Sequence, residues 1–180
     1  MIKDWNLDAS WTLFLDRDGV INERIFGAYI LRKSDFKFKE GVLEVSSELF
    51  GRFSKVFVVT NQQCIGKGLV PSNTIDLIHL WMCEQFQNCG ATVDQVFVAP
   101  ELNDENTTHR KPSVKMGLMA KEDYPDVDFS KSIMVGDTDS DIEFGKRLGM
   151  KTVLVTSDES CSAIPDLYVS SLLELNALLL

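Results

Sequence analysis

The chain has 180 residues, 44% of them hydrophobic and 25% charged, the make-up of one folded domain over residues 1–180. That composition excludes a disordered tail, a collagen-like fibre and a small disulfide scaffold. The balance of 18 basic against 27 acidic side chains gives a net charge of −9, which argues against a nucleic-acid partner. Four cysteines form no CxxC pair, the start does not resemble a signal peptide, and no apolar run approaches the ~18 residues of a membrane span. The expectation is a cytoplasmic protein with no disulfide framework and no membrane attachment.

Short apolar runs alternate with helical spacing along the chain. Residues 12–15 read as a strand, followed by a helix with Val42, Val45, Leu49 and Phe53 on one face. A second strand at 56–59 precedes a helix that starts near Pro71 and Ser72 and carries Ile75, Ile78, Met82 and Phe86 on one face. Further strands are expected at 93–98, 133–135 and 152–155. A helix beginning near Ser140, with Glu143 at capping-box spacing, ends at Gly149, and a last helix opens on Ser171 and Glu174. The strand runs are continuous rather than alternating, as in a parallel sheet covered on both faces. The fold class is therefore α/β with helices on both sides of a central parallel sheet. Two long connections, 18–40 and 100–112, are candidate functional loops.

In such a sheet, ligands bind beyond the carboxyl ends of the strands. The first strand runs into Asp16-Arg17-Asp18-Gly19, the second into Thr60-Asn61-Gln62, and the fourth into Gly136-Asp137-Thr138-Asp139-Ser140-Asp141; Arg110-Lys111-Pro112 follows the third. Converging carboxylates need a proton or a cation to coexist. Oxygen ligands without His or Cys favour Mg²⁺ over Zn²⁺. Such a cation beside Lys111 and Thr60 suits the oxygens of a transferring phosphoryl group. An EF-hand is excluded because Ile21 and Gly27 fall where glycine and glutamate are required, and Gly66-Lys67-Gly68 lacks the Walker spacing. Lys67 then reads as a solvated loop residue, His79 as surface or core edge, and the cysteines as small buried hydrophobes. His109 is either a substrate contact or an exposed loop residue.

The segments LFLDRDGVIN (13–22), VTNQQCIGKG (59–68), HRKP (109–112) and MVGDTDSD (134–141) resemble the four motifs of the haloacid dehalogenase superfamily. TNQ with RKP resembles the branch that holds heptose-bisphosphate and histidinol-phosphate phosphatases. The resemblance covers residues 12–156 and implies a Rossmann-like three-layer α/β/α sandwich with no large cap domain. It implies Asp16 as nucleophile and Asp18 as general acid, then general base, which favours a phosphatase over a dehalogenase. Thr60 and Lys111 would neutralise the phosphoryl oxygens and Asn61 would help orient the phosphate. Mg²⁺ would lie between Asp16, Asp137 and the backbone carbonyl of Asp18, supported by Asp141.

Branch members usually carry a zinc loop before RKP. Here Ala99, Glu101, Thr107 and His109 stand at those positions, so no zinc is expected and the loop must be ordered by other means or stay mobile. Arg110 aligns with a substrate-contacting arginine. The 23–40 segment holds five basic residues, Arg24 among them, against three acidic ones; it either attracts a second anionic group or is a solvated flap of mixed charge. The resulting expectation is a monomeric, Mg²⁺-dependent phosphomonoesterase for a small phosphorylated metabolite, with heptose 1,7-bisphosphate the best single substrate. The alternatives are a histidinol-phosphate phosphatase and a non-catalytic phosphate-binding regulatory module.

Overall fold

The structure, a computed structural model, describes residues 2–103, 109–157 and 161–180. Six parallel strands form one sheet in the order β3-β2-β1-β4-β5-β6: β1 Thr12–Leu15, β2 Lys55–Asn61, β3 Gln95–Ala99, β4 Ser132–Gly136, β5 Lys151–Val155 and β6 Leu167–Val169. The helices are α1 Val42–Phe50, α2 Gln63–Gly66, α3 Ser72–Asn88, α4 Lys115–Asp123, α5 Asp139–Leu148 and α6 Leu172–Leu178. The alternation of apolar runs and helical stripes predicts this parallel sheet with helices on both faces, and the family resemblance implies its Rossmann-like three layers.

Successive strand side chains point to opposite faces, and here both faces are buried. Leu13 and Leu15 of β1, with Val56 and Val58 of β2, join the core under α1, α3 and α6. Phe14 and Phe57 face the other way, onto Met116 and Ala120 of α4 and Phe144 of α5. The ring centroids of Phe14 and Phe57 are 5.2 Å apart. The stripe of α3 is buried as expected, and so is His79 on the same helix, contrary to a surface or core-edge placement.

Several boundaries differ from the sequence expectation. Phe53 lies beyond α1 but is still buried. β3 starts at Gln95 rather than 93, because Asp94 turns its carboxylate back to accept from the Val56 amide at 2.8 Å. The cap of α5 is Thr138 with Asp141, not Ser140 with Glu143; Glu143 pairs instead with Arg147 at 2.8 Å, one turn along. Gly149 ends that helix in the left-handed conformation, and Ser171 caps α6 by accepting from the Glu174 amide. The short strand β6 was not expected. Of the cysteines only Cys64 is fully buried; Cys83 and Cys161 are partly exposed and Cys89 is exposed.

The order of the strands decides where a site can form. The chain leaves β1 toward β2 on one side and returns to β4 on the other, so the two crossovers diverge at the carboxyl end of β1. Leu15 stands level with Val58 and Val135, and the Asp16 amide donates to the Val135 carbonyl at 2.9 Å. The polar tips of β1, β2 and β4 therefore meet at one level.

Candidate active site

A pocket of about 370 Å³ opens at those tips, lined by Asp16, Asp18, Thr60, Asn61, Arg110 and Asp137 among others. Its volume falls within the range of small-molecule sites. At its base the Lys111 ammonium lies 2.8 Å from Asp16 Oδ1 and 2.6 Å from Asp141 Oδ1, and donates to the Val59 carbonyl at 2.6 Å. Burial opposes the charge on Lys111, but Asp141 and Asp16 overcome it and raise its pKa. Asn61 fixes the same residue from its backbone: its Oδ1 accepts from the Lys111 amide at 2.9 Å and its Nδ2 donates to the Lys111 carbonyl. The amide of Asn61, expected to orient a phosphate directly, is thus engaged in holding Lys111.

Oxygens of Asp16, Asp137 and Asp141 all lie within 4.8 Å of one another, the one such grouping of potential metal ligands among the described residues. Burial raises the pKa of Asp16 most, with Asp141 and Asp137 adding to it against Lys111. Asp137 is raised by burial and by Asp141, with Arg24 opposing. Asp137 Oδ1 is buried without a hydrogen-bond partner. Crowded, dry carboxylates with an unsatisfied oxygen fit a hard divalent cation, the donor set that favours Mg²⁺. Two glycines make the crowding possible. A Cβ on Gly19, whose φ is +91°, would meet Asp137 Oδ2 at 1.9 Å, and one on Gly136 would meet Asp141 Cβ at 2.0 Å. Asp141 also anchors its own helix, its Oδ2 accepting from the amides of Asp137 and Thr138 and from the Thr138 hydroxyl.

Asp18 is held differently. Its carboxylate accepts from Arg17 Nη2 at 2.9 and 2.8 Å, from Arg17 Nε at 3.2 Å, from Asn22 Nδ2 at 2.9 Å and from Gln62 Nε2 at 2.9 Å. Burial alone would raise its pKa, yet Arg17 and these donors hold it below the usual carboxylate value. Gln62 Nε2 also donates to Thr60 Oγ1 at 2.9 Å, tying the two residues together. From the sequence, Arg17 and Gln62 have no role of their own and His79 is placed at the surface or core edge; Arg17 and His79 are 62 positions apart, and only the fold brings them to 2.9 Å.

The basic segment contributes one basic residue to the pocket lining, Arg24, beside Ile25, Ala28, Tyr29 and Ile30. Arg24 reaches over to Asp137 Oδ2 at 3.2 Å, while Lys39 donates to the Gly19 carbonyl at 2.8 Å and Lys33 lies over the Trp81 ring. Arg110 is half-buried at the pocket, and its Nη1 has no hydrogen-bond partner among the described residues. Lys67 is exposed and donates to the Tyr29 hydroxyl at 2.8 Å, so it pins the flap rather than floating free. In the 100–112 loop His109 Nδ1 stands 2.5 Å from Glu101 Oε1, which links its two ends. Thr107 lies outside the described residues.

Comparison with known proteins agrees with this geometry. A family model described as HAD-hydrolase-like matches residues 108–175. The D-glycero-alpha-D-manno-heptose-1,7-bisphosphate 7-phosphatase of Campylobacter jejuni is 33% identical over 147 residues, 82% of this chain and 83% of that protein. The chain belongs to the haloacid dehalogenase-like hydrolases, in the heptose-bisphosphate phosphatase branch. It is a phosphatase. A beta-anomer 7-phosphatase of Rhodopseudomonas palustris is 31% identical over 76% of this chain and 78% of its own. The solved D,D-heptose 1,7-bisphosphate phosphatase of B. bronchiseptica, complexed with magnesium and phosphate, superposes with a TM-score of 0.83 at 25% identity, over 94% of this chain and 97% of that one.

Proposed function

We propose that this phosphatase is a Mg²⁺-dependent monoesterase that removes the phosphate from a primary carbon of a heptose 1,7-bisphosphate through a phospho-Asp16 intermediate. The observation that carries the reading is Asp16 held 2.8 Å from buried Lys111 at the mouth of β1, facing a pocket with further cationic groups. The names of the relatives support the substrate class.

An Asp16 oxygen attacks phosphorus, and the ester P–O bond breaks with its electron pair staying on the leaving oxygen. Asp18, which must carry a proton in the substrate complex although Arg17 holds its pKa low in the free protein, donates that proton to the leaving oxygen, and the alcohol departs. The ionised Asp18 then takes a proton from water as the water oxygen attacks the same phosphorus. Hydrogen phosphate leaves, Asp16 is a carboxylate again and Asp18 is protonated again. Lys111 and the Thr60 hydroxyl stabilise the charge on the phosphoryl oxygens. Asp16 and Asp137, with Asp141 and the Asp18 backbone, would hold Mg²⁺, which supplies charge neutralisation to the phosphate and to the crowded carboxylates. Arg110, a cation in the pocket lining, is the group placed to meet the rest of the substrate, and Arg24 joins it if released from Asp137.

The same reading takes the chain as one domain acting as a monomer in the cytoplasm, without structural zinc. The test is kcat/KM with Mg²⁺ over both anomers of heptose 1,7-bisphosphate, heptose monophosphates and histidinol phosphate. A preference for a bisphosphate supports the reading, and a preference for histidinol phosphate replaces its substrate. Turnover retained by Asp16→Asn would sink the mechanism.

A further inference from the structure

Arg17 is charged, large and completely shielded from solvent, in a protein where most basic side chains are exposed. A buried guanidinium is stable only where its donors are satisfied. Nε and Nη2 are satisfied by Asp18 in a forked contact, and Nη1 lies 2.9 Å from His79 Nε2. A guanidinium has donors and no acceptor, so His79 Nε2 must be the acceptor in this contact. The imidazole is therefore neutral, with its proton on Nδ1. Burial first, and the Arg17 charge second, push its pKa down to about 3, in accord with that assignment.

These contacts form a line from α3 to the pocket: His79, Arg17, Asp18. Of the three, only Asp18 lines the pocket. Asn22 and Gln62 complete the cradle from two other segments. Arg17 is joined to Asp18 by three contacts, and its guanidinium also lies over the Phe36 ring, 5.9 Å from the centroid. His79, fixed by α3 and buried with it, supplies the side-chain acceptor that fixes the Nη1 edge, the side of the guanidinium turned away from Asp18.

We infer that His79, acting through Arg17, is a positioning residue for Asp18, and that it fixes the orientation from which this carboxyl group serves the leaving oxygen. The inference rests on Asp18 being the general acid of the proposed reaction, and it has a consequence that mere filling of the core would not. A primary alkoxide is a poor leaving group and needs the proton; a 4-nitrophenolate does not. The quantity kcat/KM reports the steps up to departure of the leaving group, so hydrolysis of the phosphoenzyme does not enter it.

The experiment compares kcat/KM for a primary alkyl phosphate and for 4-nitrophenyl phosphate, with Mg²⁺, in the wild type, His79→Leu and His79→Gln. His79→Leu removes the acceptor, and the alkyl-to-aryl ratio is expected to fall by at least about tenfold, since general acid catalysis is worth about 10²–10⁴-fold. The amide oxygen of His79→Gln can accept from Nη1, and the ratio is expected to return to within about threefold of wild type on the same ground. His79→Asn, polar but too short to reach Arg17, gives the same comparison should the leucine enzyme fail to fold. Both rates falling together, an unchanged ratio, or no recovery with glutamine overturns the inference while leaving the phosphatase reading intact. A wild type inactive on every phosphate ester overturns that reading and the inference with it.

Discussion

Three buried carboxylates within reach of one another repel, and in the protein alone Lys111 is the cation that holds two of them together. Removing one partner of a buried ion pair leaves the others desolvated and uncompensated, at a cost of about 3–5 kcal/mol. Lys111→Met is therefore expected to lower the unfolding free energy in urea at pH 8 by about that amount. It is also expected to lower kcat at least about 10²-fold, the usual loss when one stabilising donor is removed from a transition state. His79 gives a second prediction at this scale. Its pKa in the folded protein is about 3, against 6.5 ordinarily, so below pH 6.5 the unfolded chain takes up a proton that the native state refuses. Stability from this group is thus complete above about pH 6.5 and is lost as pH falls toward 3, at up to about 1.4 kcal/mol per pH unit. His79→Gln has no such proton to refuse. Its unfolding free energy is expected to fall less steeply than that of wild type between pH 6 and 4.5; parallel slopes would contradict the neutral buried imidazole.

At the level of elements, what could be read from the sequence follows from how local the causes are. Strands β1, β2, β4 and β5 are legible because burial on both faces makes their residues continuously apolar, and the site carboxylates are legible because they follow those runs directly. Strand β6 is not, since three residues with one exposed between a half-buried and a buried one carry too little pattern. The cradle of Asp18 is not legible either, because its members come from the loop after β1, the residue after β2 and, through His79, α3, and meet only in three dimensions. The start of α5 failed for another reason: Asp137-Thr138-Asp139-Ser140-Asp141-Ile142-Glu143 offers two overlapping capping boxes. Burial chooses between them, since Asp141 is fully buried and aimed at Lys111, and the box that contains it wins. Thr138→Ala is expected to cost about 0.5–2 kcal/mol of stability, the range for losing an N-cap. Ser140→Ala loses only the 2.9 Å contact with the Thr138 hydroxyl and is expected to cost less, about 0.5 kcal/mol, the low end for one hydrogen bond. Equal losses on denaturant melts would mean that the cap is shared.

For the whole molecule, the net charge of −9 first looks unsuited to a phosphorylated substrate. Net charge is a property of the whole chain, and only three of the 27 acidic residues meet in the site cluster. At the tips of β1 and β4, Asp16, Asp137 and Asp141 outnumber Lys111, and both Asp16 and Asp137 have raised pKa values. A carboxyl group whose pKa rises on folding favours the native state most at low pH, and that advantage is lost as pH climbs through the raised value. At neutral pH the metal-free protein therefore holds its site under repulsion, which a bound divalent cation would relieve. Mg²⁺ at a hundredfold excess over its dissociation constant is expected to add about 2.7 kcal/mol. For a chain of this size that is a rise in Tm of about 5–10 °C. Asp137→Asn separates the two effects. It removes one of the repelling charges, so without metal at pH 7.5 it should melt no lower than wild type, since the Arg24 partner it gives up is partly exposed and worth little. The same change should abolish most of the Mg²⁺-induced rise. A variant that melts lower without metal and still gains the full increment would show that Asp137 is neither a repelling charge in the native site nor a ligand for the cation.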